Sequence, residues 1–124
     1  MKKNLTKVKE FRFKLYPKDF PKLKDFYQNI LGFPIITEWE ESEQDRGVMF
    51  NTGTTIIELL PTENFHPVSG CGLSLEVADV WQLWENFKNY QHVEFPLRDN
   101  SWGDTSFSIK DPEGLEITFF SMNR

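Results

Sequence analysis

The chain has 124 residues, enough for one compact domain that buries a core without disulfides or a structural metal. Its formal net charge of -5 argues against a nucleic-acid partner, and its single cysteine, Cys71, allows no internal disulfide. The basic amino terminus lacks the apolar stretch of a signal peptide, and no apolar run approaches the ~20 residues that span a bilayer, so the expected address is cytoplasmic, with no membrane partner. In chain order, Glu10–Tyr16 alternates, with Phe11, Phe13 and Leu15 on one side and Arg12, Lys14 and Tyr16 on the other, which predicts a strand. The segment KDFPKLKDFYQNILG predicts a helix. Asp19 is its N-cap, Phe20, Leu23, Phe26, Tyr27, Ile30 and Leu31 recur at helical spacing, and Gly32 ends it. Phe33–Glu40 predicts a strand, ESEQDR a charged turn, and GVMFNTGTTIIELLP a hairpin with arms Val48–Asn51 and Thr55–Leu60. Thr62–Gly70 has no periodicity and reads as a linker.

The order then repeats. Cys71–Val77 alternates like the first strand. ADVWQLWENFKNY predicts a helix capped by Asp79, with Val80, Leu83, Trp84 and Phe87 on its buried side. HVEFPLRD predicts a strand, and DTSFSIKDPEGLEITFF a hairpin turning at Asp111–Gly114. One constant offset relates Asp19 to Asp79, Glu58 to Thr118 and Arg12 to Gly72. The expectation is an α+β fold of two βαβββ modules, residues 1–62 and 71–124, joined by a linker over 62–70. The helices cover the face to which Phe11, Phe13, Leu15, Ile57, Leu59, Leu73, Leu75, Val77, Ile117 and Phe119 point. The other face carries Arg12, Lys14, Tyr16, Glu58, Ser74, Glu76, Glu116 and Thr118, and by alternation alone it reads as plain solvent surface.

KDFPKLKDFYQNILGF, with Phe26-Tyr27 and Leu31-Gly32-Phe33, resembles the first-helix signature of the glyoxalase/bleomycin-resistance/dioxygenase superfamily, also called vicinal oxygen chelate proteins. SWGDTSFSIKDPEGLEITFF is similar to its closing signature, through Trp102-Gly103 and Asp111-Pro112-Glu113-Gly114. The resemblance implies mixed, curved sheets around a central cleft lined by the polar face, and commonly a homodimer. Metal-dependent members place His, Gln or Glu on four strands. Those positions fall here on Arg12, Glu58, Gly72 and Thr118, of which only Glu58 is a competent ligand. His66 lies in the linker and His92 starts a strand, and both read as surface residues. The expectation is therefore no metal and no cofactor.

The residues expected to bind a ligand are Arg12, Lys14, Trp39, Phe50, Glu58, Ser74, Trp102, Phe107 and Thr118. Arg12 is expected to pair with Glu58 or with a ligand carboxylate, and the aromatics to stack on a flat ligand. Each has an ordinary alternative: a solvated strand face for Arg12, Lys14 and Glu58, and core packing for the aromatics. Cys71 reads as a buried, inert thiol. The functional expectation is a metal-free small-molecule binding protein of the bleomycin-resistance type, which holds an aromatic or charged ligand in the cleft. The alternative is a glyoxalase-like lyase or isomerase, or a dioxygenase, with a non-standard site using Glu58, through a departed metal arrangement or with Glu58 as a general base.

Overall fold

In the computed structural model, which describes residues 5–123, each half of the chain forms its own four-stranded mixed sheet. The chain divides between Phe65 and His66. The first unit runs β1 (Arg12–Leu15), α1 (Phe20–Asp25), a π-helical turn (Phe26–Ile30), β2 (Ile35–Glu40), β3 (Arg46–Asn51) and β4 (Ile56–Leu59). Its strand order is β1-β4-β3-β2, with β1 parallel to β4 and the other neighbours antiparallel. Parallel neighbours need a long crossover, and here the crossover contains the helical segment. That segment packs on the face bearing Leu15, Val48, Phe50, Ile57 and Leu59, all buried; the Tyr27 and Phe50 rings lie 6.1 Å apart.

The helix begins as its sequence requires, with the Asp19 carboxylate accepting the Lys22 N–H at 3.1 Å. It does not continue as one α-helix. Leu31 N–H donates to the Phe26 carbonyl at 2.9 Å, five residues back, and Phe33 N–H to the Tyr27 carbonyl at 3.0 Å. The wider turn puts the adjacent Phe26 and Tyr27 both in the core, their rings edge to face at 5.1 Å. It also shifts the phase of the helix end, so Ile30, expected on the buried side, is exposed. Phe11 is a second correction. It precedes the first residue of β1 and is 61% exposed rather than part of the core.

Gly47 in β3 faces Trp39 of β2, and the indole lies flat across it: an added Cβ would collide with the ring. Gly47→Ala is therefore expected to displace the ring and lower stability by about 1–3 kcal/mol, as overpacking does. A red shift of tryptophan emission together with a lower urea midpoint would verify this, and unchanged emission would refute the stacking.

The second unit runs β5 (Gly72–Glu76), α2 (Val80–Phe87), β6 (Val93–Asp99), β7 (Asp104–Lys110) and β8 (Glu116–Met122), ordered β5-β8-β7-β6 with β5 parallel to β8. Two side chains fix the start of α2. Asp79 accepts the Gln82 N–H at 2.9 Å. Ser121, on β8, accepts the Val80 N–H at 3.0 Å and donates to the Val77 carbonyl at 2.6 Å, which ties helix to sheet. Beneath α2, Phe107 has Trp84, Phe87 and Phe119 at 5.2, 6.0 and 5.3 Å between ring centroids.

The Asp-Pro-Glu-Gly turn has a physical reason for its sequence. The buried Asp111 carboxylate accepts the N–H groups of Glu113 at 2.8 Å and Leu115 at 3.0 Å, and Gly114 has φ of +93°. Burial, and then the charge of Asp111, raise the Tyr90 pKa. Its phenol stays protonated and donates to the Lys110 carbonyl at 3.1 Å. Among the described residues no helix is long and apolar enough to cross a membrane.

Candidate functional site

On the first sheet the face opposite α1 is built by alternation. In register across the strands, Lys14 of β1 stands beside Glu58 of β4, and Glu58 beside Met49 of β3; one step along, Arg12, Ile56 and Asn51 share the same face. Glu58 is only 5% exposed, and its Oε1 is buried with no hydrogen-bond partner among the described residues. Lys14, its neighbour in register, is exposed and forms no ion pair with it. The expected Arg12–Glu58 pair is not formed. The register sets Arg12 opposite Ile56, and its Nε instead donates to Glu10 at 2.7 Å in an exposed pair that contributes little.

At the end of the sheet where Ile56 pairs with Asn51 is an open hollow of about 330 Å³, whose lining also includes Phe11 and Ile36 but not Glu58. Ile56 is two residues from Glu58 on the same face, a step of about 7 Å along a strand. Ile56 thus links the buried acceptor, one step along β4, to a hollow that exposes Phe11 and Ile36. Such an arrangement suits a group that donates hydrogen bonds or carries positive charge, attached to an apolar body.

The corresponding face of the second sheet is a strip of hydroxyls. Thr118 pairs in register with Ser74 and Ser108, and the Thr118 and Ser108 hydroxyls are 2.7 Å apart. Ser106, on the same strand face, accepts from the Asn100 side-chain N–H at 2.8 Å. Ser106 and Ser108 are buried and Ser74 is exposed. Sequence reasoning missed Ser106, Ser108, Met49 and Asn51. Their signal was alternation: each flanks a core residue, Phe107 or Phe50, in its own strand.

The four strand positions used for metal in the superfamily do not fit a metal here. Arg12 is cationic and turned to Glu10, Gly72 offers no side chain, and the Thr118 hydroxyl is held by Ser108. A Cβ at Gly72 would meet the Glu116 carbonyl oxygen at 3.2 Å. Among the described residues no three His, Cys, Asp or Glu side chains converge as a metal site.

Two aromatic expectations are corrected. Phe50 and Phe107 belong to the cores under the helices, on the faces opposite Glu58 and Thr118, because odd and even strand positions point apart. Trp39 lies across Gly47, with its indole N–H donating to Asp45 at 3.2 Å. Trp102 is 70% exposed. His66 and His92 are exposed, and so is Cys71, which precedes β5 instead of being buried in it.

Residues 11–119 match the family model of the Glyoxalase/Bleomycin resistance protein/Dioxygenase superfamily. Over 130 residues the chain is 26% identical to YraH of Bacillus subtilis strain 168, an uncharacterized protein, covering 93% of this chain and 99% of that one. The fold is similar to that of a superfamily member from Sphaerobacter thermophilus DSM 20745, with TM-score 0.76, 21% identity, and coverage of 94% of this chain and 99% of that one. It is likewise similar to TioX from Micromonospora sp. ML1, with TM-score 0.75, 20% identity, and coverage of 93% and 99%.

Proposed function

The chain belongs to the Glyoxalase/Bleomycin resistance protein/Dioxygenase superfamily, and from that premise we propose that it is a metal-free small-molecule binding protein of the bleomycin-resistance type. The ligand carries a cationic or hydrogen-bond-donating group on an apolar body and is held on the Glu58 face of the first sheet. The observation that carries this reading is the buried, unpartnered Oε1 of Glu58. A buried carboxylate oxygen without a donor is unfavourable unless something supplies one. A ligand cation would do so, and the hollow lined by Phe11, Ile36 and Ile56 offers surface for its apolar part. The misfit of Arg12, Gly72 and Thr118 as ligands supports the absence of a metal.

The same atom supports a second reading, in which Glu58 acts as a general base in a lyase, isomerase or dioxygenase reaction. The two are separated by whether the bound molecule is recovered unchanged. A thermal-shift screen with cationic glycopeptides, aromatic antibiotics and small carboxylates is expected to give a stabilising hit among the cations, because a ligand of the native state raises apparent stability. Glu58→Gln is expected to weaken that hit at least about tenfold, the loss of one charge-assisted contact. Equal affinity in Glu58→Gln would remove Glu58 from the site. Stoichiometric zinc, nickel, manganese or iron in the purified protein would overturn the metal-free reading. A changed ligand by mass spectrometry would favour the enzyme.

A further inference from the structure

A second cavity in the first unit, about 290 Å³, lies where β1 and β4 end and β3 begins. Phe20, Lys18, Arg46, Thr62, Glu43 and Glu63 line it; Glu58 does not. Its volume falls at the small end of ligand pockets. Arg46 is held in an unusual way. Its guanidinium carbon sits 4.3 Å from the centroid of the Phe20 ring, and its Nε is buried with no hydrogen-bond partner among the described residues. Among the described residues Arg46 forms no ion pair, although two carboxylates, Glu43 and Glu63, line the same cavity. Among the described residues those two also form no ion pair.

An unpaired guanidinium and unpaired carboxylates that line one small cavity, and do not reach each other, leave room for a molecule to bridge them. The lining carries both signs, so a dianion would meet Glu43 and Glu63 as like charges. We propose that this cavity is a separate ligand site for a small zwitterion, such as an amino acid. Its carboxylate takes the fork of Arg46, its ammonium group faces Glu43 and Glu63, and its side chain lies along Phe20. The proposal is independent of the Glu58 site.

The test uses the full chain, labelled for amide NMR and titrated with phenylalanine, with phenylpropionate, which lacks the ammonium group, and with phenylalaninamide, which lacks the carboxylate. Phenylalanine is expected to move the amides of Gln44–Gly47 and Thr62–Glu63 saturably, and each analogue to bind about tenfold more weakly. Arg46→Met keeps the stem over Phe20 and removes the charge; it is expected to weaken phenylalanine about tenfold and leave phenylalaninamide unchanged. Phenylpropionate binding as tightly as phenylalanine, equal phenylalanine affinity in Arg46→Met, or no saturable shift up to about 10 mM phenylalanine overturns the proposal. The comparison of analogues on the unaltered chain decides the matter should Arg46→Met not fold.

Discussion

Phe107→Ala is expected to lower the unfolding free energy by about 3–5 kcal/mol, the range for truncating a buried aromatic. Total stability for a domain of this size is about 5–15 kcal/mol, so the variant would stand near the limit of folding. The reason is local. Phe107 is fully buried in the second unit, with Trp84, Phe87 and Phe119 around it. Removing its ring leaves a cavity that three other large rings cannot fill without leaving their own contacts. Urea denaturation followed by tryptophan emission measures the loss. The milder Phe107→Leu tests the other half of the claim: its stability should fall less, and any ligand found in the thermal-shift screen should bind as before. A near-normal unfolding midpoint for Phe107→Ala would mean that Phe107 is not a core residue. It would then return as a candidate for a binding wall.

The architecture was legible because the chain writes it twice. Period-two alternation marks β1, β4, β5 and β8, Asp19 and Asp79 mark both helix starts, and the Asp111 turn carries its own hydrogen-bond logic. The site was legible only in part, for physical reasons that differ by residue. Alternation says that Phe107 and its neighbours Ser106 and Ser108 face opposite ways, but not which face a helix covers; packing of Trp84 and Phe87 decides that. Arg12 and Glu58 were expected to meet because both occupy the polar face. The parallel register of β1 on β4 is set by how the crossover packs, not by local sequence, and it brings Lys14 rather than Arg12 opposite Glu58. The π turn at Phe26–Ile30 left no trace in the spacing of apolar residues, since it arises from seating two adjacent aromatics in one core.

Glu58→Leu is expected to stabilise the protein while abolishing its response to a cationic ligand. Glu58 holds a carboxylate at 5% exposure, and among the described residues one of its oxygens has no donor and Lys14 beside it forms no ion pair with it. A buried oxygen in that state loses hydration without regaining it, a cost of about 1–3 kcal/mol for an unmatched polar group. Leucine is of similar length, brings no polar atom, and would lie against Met49 and near Ile56 on the same face. The net gain is expected to be about 1–3 kcal/mol, read as a higher urea midpoint with unchanged slope. Such a gain from deleting a charged side chain is the mark of a residue retained for binding or chemistry at the expense of stability. Glu58→Gln is expected to fall between the two, since its amide keeps a carbonyl acceptor and loses the charge. The sign of the Glu58→Leu effect is what discriminates. If the variant is less stable than the parent, the carboxylate already has a favourable partner within the folded chain, and its availability to a ligand, on which the binding and the general-base readings both depend, falls with it.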